Sequence, residues 1–168
     1  SDLIDGGIVF QDETSLLVLK NSELSCNGEF TFTTGSFQVE GSSCCSGGGV
    51  FNYASDEQSK IKKHSTLLLE SGATFNYMNG TNSPDRLMFT DSTSKFHLDG
   101  ATIKVGESGW NFTNGTLILS QQNFAICSDG GVLSFGSGNM AENMYLNIQP
   151  GGSLKLLSGT LNYKNDEN

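Results

Sequence analysis

The chain has 168 residues, with 18 acidic against 9 basic side chains, a formal net charge of −9 at pH 7 and an isoelectric point near 4.5. That charge repels phosphate and so argues against a general nucleic-acid or anionic-membrane partner, and no apolar run approaches the ~20 residues of a membrane-spanning helix. Glycine at 21 residues with only 2 prolines, in a chain 36% hydrophobic, indicates many corners between short apolar segments rather than a disordered chain.

In chain order the apolar segments are Ile8/Phe10, Leu17/Leu19, Leu24/Cys26, Phe30/Phe32, Phe37/Val39, Phe51/Tyr53, Leu67/Leu69, Phe75/Tyr77, Leu87/Phe89, Phe96/Leu98, Ile103/Val105, Trp110/Phe112, Leu117/Leu119, Phe124/Ile126, Leu133/Phe135, Leu146/Ile148, Leu154/Leu156 and Leu161/Tyr163. Residues two apart share one face of a strand, so each pair predicts a short strand with a single inward face. From Leu87 to Phe124 the first members advance by seven to nine residues. That leaves corners of about four residues, whereas the rival antiparallel β-sandwich would use two-residue hairpin turns between strands of about 5–6 residues. The expected fold is all-β: one domain over residues 1–168, a parallel β-helix (β-solenoid) with three short strands per turn and about six turns.

Four longer corners interrupt the series, near 41–49, 54–65, 78–85 and 136–143. The first holds Cys44 and Cys45. Cys26 falls at an inward position and Cys127 at a strand end, and with no CxxC spacing and only two histidines there is no zinc pattern. In an oxidising compartment Cys44 or Cys45 could reach Cys26 or Cys127 and leave thiols to link subunits, the connectivity staying open.

Counting strands in threes assigns outward residues to three sides. One side carries Ser25, Asn52, Met88, Asn111, Ser134 and Asn162, where stacked asparagines could form a hydrogen-bonded ladder. A second carries Val18, Gln38, Asn76, Lys104, Ala125 and Lys155. The third carries Val9, Thr31, Leu68, His97, Ile118 and Asn147, the most apolar of the three. Val9, Leu68, His97 and Ile118, with Leu161 and Tyr163 of the final strand, are therefore the candidate subunit contacts.

Nothing here points to catalysis. No Asp or Glu occupies an outward strand position; Asp85, Asp91, Asp99 and Asp129 sit at corners, where Asp forms turns. Neither His64 nor His97 has an evident acid or nucleophile partner, no serine lies in a GxSxG elbow, and the GGxGxD calcium repeat is missing. Trp110 is paired inward with Phe112. Three sequons, at Asn79, Asn111 and Asn114, are candidate glycosylation sites. The expectation is a non-enzyme without cofactor or metal.

These inward pairs and Gly/Asn corners resemble the β-helical surface proteins of bacteria, such as autotransporter passengers and large adhesins. The resemblance covers most of the chain and is one of architecture. It implies export, an extracellular or cell-surface location, and a structural or adhesive role without a cofactor. The last alternation, in Gly159-Thr-Leu-Asn-Tyr-Lys164, and the opening Ser1-Asp-Leu-Ile-Asp-Gly-Gly7 carry no cap over the strand edges, so either the segment is part of a longer solenoid or its ends join between subunits. The leading expectation is a structural protein whose subunits, as a homopolymer, join end to end into a filament or surface fibre. The alternatives are an adhesin segment binding glycans through its long corners and, less favoured, a polysaccharide-active β-helix enzyme, which would need clustered carboxylates.

Overall fold

A computed structural model describes residues 10–41, 44–78, 86–112, 114–128, 130–135 and 144–163. Among them are nineteen strands and no helix: β1 (Leu16–Lys20), β2 (Glu23–Ser25), β3 (Glu29–Phe32), β4 (Ser36–Glu40), β5 (Cys44–Gly47), β6 (Val50–Tyr53), β7 (Ser59–Ile61), β8 (Thr66–Leu69), β9 (Thr74–Tyr77), β10 (Leu87–Phe89), β11 (Lys95–Asp99), β12 (Thr102–Val105), β13 (Trp110–Phe112), β14 (Gly115–Ser120), β15 (Gln122–Cys127), β16 (Val132–Phe135), β17 (Met144–Ile148), β18 (Ser153–Ser158) and β19 (Thr160–Tyr163). All pairing is parallel, and every pair joins a strand to the third strand after it. The result is four stacked sheets: A (β1-β4-β7-β10), B (β2-β5-β8-β11-β14-β17), C (β3-β6-β9-β12-β15-β18) and D (β13-β16-β19). The architecture is solenoid-like and all-β, as the alternations predict, and it excludes the antiparallel sandwich.

Parallel neighbours separated by such short links require the backbone to swing sharply at each corner. Twelve described residues do this with φ between +48° and +95°. Asn21, Gly41, His64 and Gly115 lead into sheet B, Gly72, Gly100, Gln121 and Gly151 into sheet C, and Gly35, Gly109, Gly130 and Gly159 into sheet A or D. Most are glycine because a Cβ disfavours this region.

The interior is aromatic. Phe32, Tyr53 and Tyr77, on successive strands of sheet C, stack at 5.7 and 5.6 Å, and Trp110 of β13 continues the column on Tyr77 at 5.0 Å. All four side chains are at most 1% exposed. The two tyrosine hydroxyls are committed: Tyr53 Oη lies 2.9 Å from the Glu57 carbonyl and 3.1 Å from that of Arg86, and Tyr77 Oη accepts the Arg86 N–H at 3.0 Å. Burial pushes the Tyr53 phenol up to about 12.

Several sequence expectations are corrected. The stretches 41–49 and 54–65, read as long corners, each contain a strand, β5 and β7. β7 escaped notice because Ser59 takes an inward place, fully buried and accepting the Phe37 N–H at 3.0 Å. Each missed strand moved the side assignment by one. Thr31 therefore lies in sheet C and not beside Leu68, Val18 and Gln38 share sheet A with Met88, and Ser25 lies in sheet B. Phe10 packs edge-on to Phe32 at 4.6 Å without forming a strand, and Ile8 and Val9 fall outside the described residues.

In β15 the expected phase is inverted. Asn123, Ala125 and Cys127 face inward, while Phe124 and Ile126 are half-buried on the outer face. Asn123 decides this, because its side chain serves three turns: Oδ1 accepts the Ala101 N–H at 2.8 Å, and Nδ2 donates to the carbonyls of Ser120 at 2.9 Å and Ser153 at 3.1 Å. Asn123→Ala is expected to destabilise by about 1–3 kcal/mol, because it leaves the buried Ala101 N–H unsatisfied. Denaturant unfolding measures this, and a loss below about 0.5 kcal/mol would show that the side chain does not set the phase.

The corner before β11 is built on Asp91. Its Oδ1 accepts the Thr93 N–H at 2.8 Å, the Thr93 hydroxyl at 2.7 Å and the Ser94 N–H at 3.1 Å. Partial burial alone would raise this carboxyl, but those donors together outweigh it and hold it below the usual aspartate range. The unfolded chain therefore binds the proton more readily. The corner's contribution is present above the unfolded aspartate value of about 3.9 and is lost as pH falls through the lower folded one. Unfolding midpoints between pH 5 and pH 2 should fall less steeply in Asp91→Asn than in the unsubstituted chain; parallel profiles would contradict this.

Candidate functional site

The last three described strands, β17, β18 and β19, are each paired on one side only: β17 with β14, β18 with β15 and β19 with β16. Register fixes what those strands carry inward. Leu146 lies in line with Leu117, Ile148 with Leu119, Leu156 with Ala125 and Leu161 with Leu133. The preceding residues in these four columns are at most 1% exposed, whereas Leu146, Ile148 and Leu161 are 44%, 55% and 38% exposed. The columns that form the core elsewhere come to the surface here, beside ladder N–H and C=O groups without a strand partner among the described residues. A slip in register at Ala125/Ile126 accompanies the neighbouring strand and leaves Leu157 52% exposed.

The opposite end is less open. Leu17, Leu19, Leu24 and Phe30 are partly buried against the core, while Leu16 and Val18, on the outer side of β1, are 55% and 42% exposed. The ends also differ in charge. β1 to β3 contain Lys20, Glu23 and Glu29, and Lys155 is the one charged residue of β17 to β19.

No protein-family model, curated protein or solved structure matches the chain. The reading of the site therefore rests on its residues.

Among the expected contact residues, Leu68, His97 and Ile118 do form one column on the outside of sheet B, ending at Asn147. All three are half-buried. Leu161 belongs to the open end, and Tyr163 pairs in register with Phe135. Of the cysteines, Cys26 is half-buried and Cys127 buried, and both are free thiols. Cys127 lies 3.6 Å from the Thr160 carbonyl, and burial pushes both thiols up, away from the reactive thiolate. Cys44 and Cys45 are placed only as strand residues of β5. Asn111 is half-buried in register with Ser134, Asn114 half-buried at the corner before β14, and Asn79 outside the described residues.

Two arrangements bear on catalysis. His97 Nε2 lies 2.7 Å from Ser120 Oγ, which resembles a nucleophile and its base. The Ser120 hydroxyl, however, donates to Gln149 Oε1 at 2.8 Å, so His97 acts there as the donor and the chain of three ties adjacent turns together. Second, a cleft gathers Asp12 and Glu13 from the corner before β1 with Asp56 and Glu57 from the corner before β7. A glycosidase acid needs a raised carboxyl. Asp12 is instead lowered, by the hydroxyl of Thr14 at 2.7 Å and then its N–H at 2.9 Å. Among the described residues no group of three or more His, Cys, Asp or Glu side chains is placed to hold a metal ion. No described helix is long and apolar enough to cross a membrane.

The sequence reading missed the amide ladder that does form. Asn76 Nδ2 donates to Asn52 Oδ1, and Asn52 Nδ2 donates to Glu29 Oε1 at 2.8 Å and Thr31 Oγ1 at 3.1 Å. It lies on sheet C, not on a side with Asn111 and Asn162, because the uncounted β7 lies between Asn52 and Asn76 and had put them on different sides.

Proposed function

We propose that the chain is one continuous parallel β-helix of three strands per turn and about six turns, acting as a structural segment whose copies join end to end into an extracellular filament or cell-surface fibre. The finer fold is supported by the rule that every pair formed joins a strand to its third successor and by the three sets of left-handed corners. Sheets A and D are then two parts of one face. They meet without a ladder between β10 and β13, but Phe89 and Phe112 remain in ring contact across the junction at 4.8 Å.

The open end carries the functional reading. Exposed leucine and isoleucine side chains beside unpaired ladder groups are a template for another strand, and solenoids cover such ends with a cap or a neighbouring unit. A second copy supplies the matching surface, since its own first turn has the same parallel geometry. The extracellular setting rests on the resemblance to bacterial β-helical surface proteins. The corners that a glycan-binding segment would use lie for the most part outside the described residues.

Sedimentation velocity over a wide concentration range tests the reading. The unsubstituted chain should form species that lengthen with concentration, and Ile148→Lys, which sets a charge in the exposed end, should remain monomeric with its fold intact. A chain that stays monomeric throughout would overturn it.

A further inference from the structure

We infer that Asn27, at the corner between β2 and β3, is a site of self-modification: the backbone nitrogen of Gly28 attacks its side-chain carbonyl, and the asparagine passes to isoaspartate and aspartate. The step balances on the chain and water alone. The Gly28 nitrogen gives up its proton and bonds to Asn27 Cγ, and the amide nitrogen leaves as ammonia. Water then opens the five-membered succinimide at one of its two carbonyls, giving Asp by one route and, by the other, isoAsp, whose backbone runs through Cγ.

The attack needs a backbone N–H that no carbonyl holds, room for the ring, and a flexible residue after the asparagine; with these supplied, the reacting groups are already neighbours in one chain. Asn-Gly occurs at 27–28, 79–80 and 114–115, the second outside the described residues. At the first, both residues are exposed, and a Cβ built on Gly28 meets nothing within 4 Å. The Gly28 carbonyl accepts the Val50 N–H at 3.0 Å, whereas its own N–H has no acceptor among the described residues. The other corners that could close such a ring are held by the stacking of turns. Asn114 is half-buried, and Gly115 is buried at φ +95°, where a Cβ would lie 2.8 Å from Phe89 Cβ and from the Ser94 carbonyl. At Asp99-Gly100 the carboxylate takes Gln121 Nε2 at 2.8 Å, and the Gly100 N–H donates to the Ser120 carbonyl at 3.2 Å.

The change falls where successive turns come closest. Gly49 packs on the Gly28 carbonyl with no room for a side chain, and Glu23 and Glu29 lie in the strands on either side of the corner. IsoAsp lengthens the backbone at that contact, and either product sets a third carboxylate near the two glutamates, where like charges repel.

Incubation of the whole chain in mildly alkaline buffer, followed by digestion and mass spectrometry, reads conversion at each asparagine, and electron-transfer fragmentation separates isoAsp from Asp. Asn27 should convert several-fold faster than Asn114, with isoAsp among its products. Gly28→Ala, for which the corner has room, should slow it several-fold with an unchanged circular dichroism spectrum. Asp alone at position 27 would mean direct hydrolysis by water and would overturn the attack by Gly28, as would an unchanged rate in Gly28→Ala. Equal rates at Asn27 and Asn114 in the folded chain, or an Asn27 that persists while the urea-unfolded chain converts, would overturn the selection of this corner by the fold.

Discussion

Replacing Trp110 with alanine is expected to cost about 3–5 kcal/mol, the usual range for a fully buried Trp or Phe. The ring is 1% exposed and touches Tyr77, Phe75, Phe96 and Phe112, thereby joining sheet D to the aromatic column of sheet C. Its indole N–H has no hydrogen-bond partner among the described residues, so the loss is one of packing. Against a total stability of about 5–15 kcal/mol for a typical domain, such a loss approaches unfolding. Tyr77→Phe is the informative companion. It keeps the ring but removes the acceptor for the Arg86 N–H at 3.0 Å and the Leu87 N–H at 3.4 Å, and should cost about 1–3 kcal/mol. Urea unfolding of both variants measures the two effects. A Trp110→Ala loss under about 1 kcal/mol would mean that the ring column is not the core.

The second large effect lies in the glycines of the corner between β5 and β6. A Cβ on Gly49 would strike the carbonyl of Gly28 in the preceding turn, whereas a Cβ on Gly48 would meet nothing within 4 Å. The atoms struck are backbone and cannot rotate away. Gly49→Ala should therefore cost about 1–3 kcal/mol, toward the upper end of that range. Gly48→Ala should stay within about 0.5 kcal/mol, as an exposed substitution does. Two adjacent glycines with the same side-chain change make a controlled pair, and equal thermal midpoints would contradict the close approach of successive turns. The same column of sheet C holds Ala73, Ala101 and Asn123 in later turns, with no large apolar residue among them.

How far the sequence could be read depended on which residues filled the inward places. From Leu67 to Phe112 those places hold large apolar residues in pairs, and strand positions and register partners follow from spacing. Where the inward place is taken by something small or polar, spacing fails. β5 is Cys-Cys-Ser-Gly, and β7 buries Ser59, whose value lies in a hydrogen bond to the Phe37 backbone that no hydropathy pattern records. In β15 both phases contain apolar residues, Phe124 and Ile126 against Ala125 and Cys127. The choice between them depends on Asn123 reaching backbone groups of other turns, which is known only once the turns are stacked. The open end was legible as pattern but not as surface. Leu146 and Ile148 have the spacing of core residues, and only the stacking shows that no described strand covers them.

Negative-stain electron microscopy of the untagged chain at neutral pH, followed by X-ray diffraction from aligned fibres, tests the central claim most directly. Strands that lie across the axis and stack along it through successive subunits predict unbranched fibres with a reflection at about 4.8 Å along the fibre direction. Monodisperse short rods about 30 Å long at every concentration, the length of six turns at ~4.8 Å each, would contradict it.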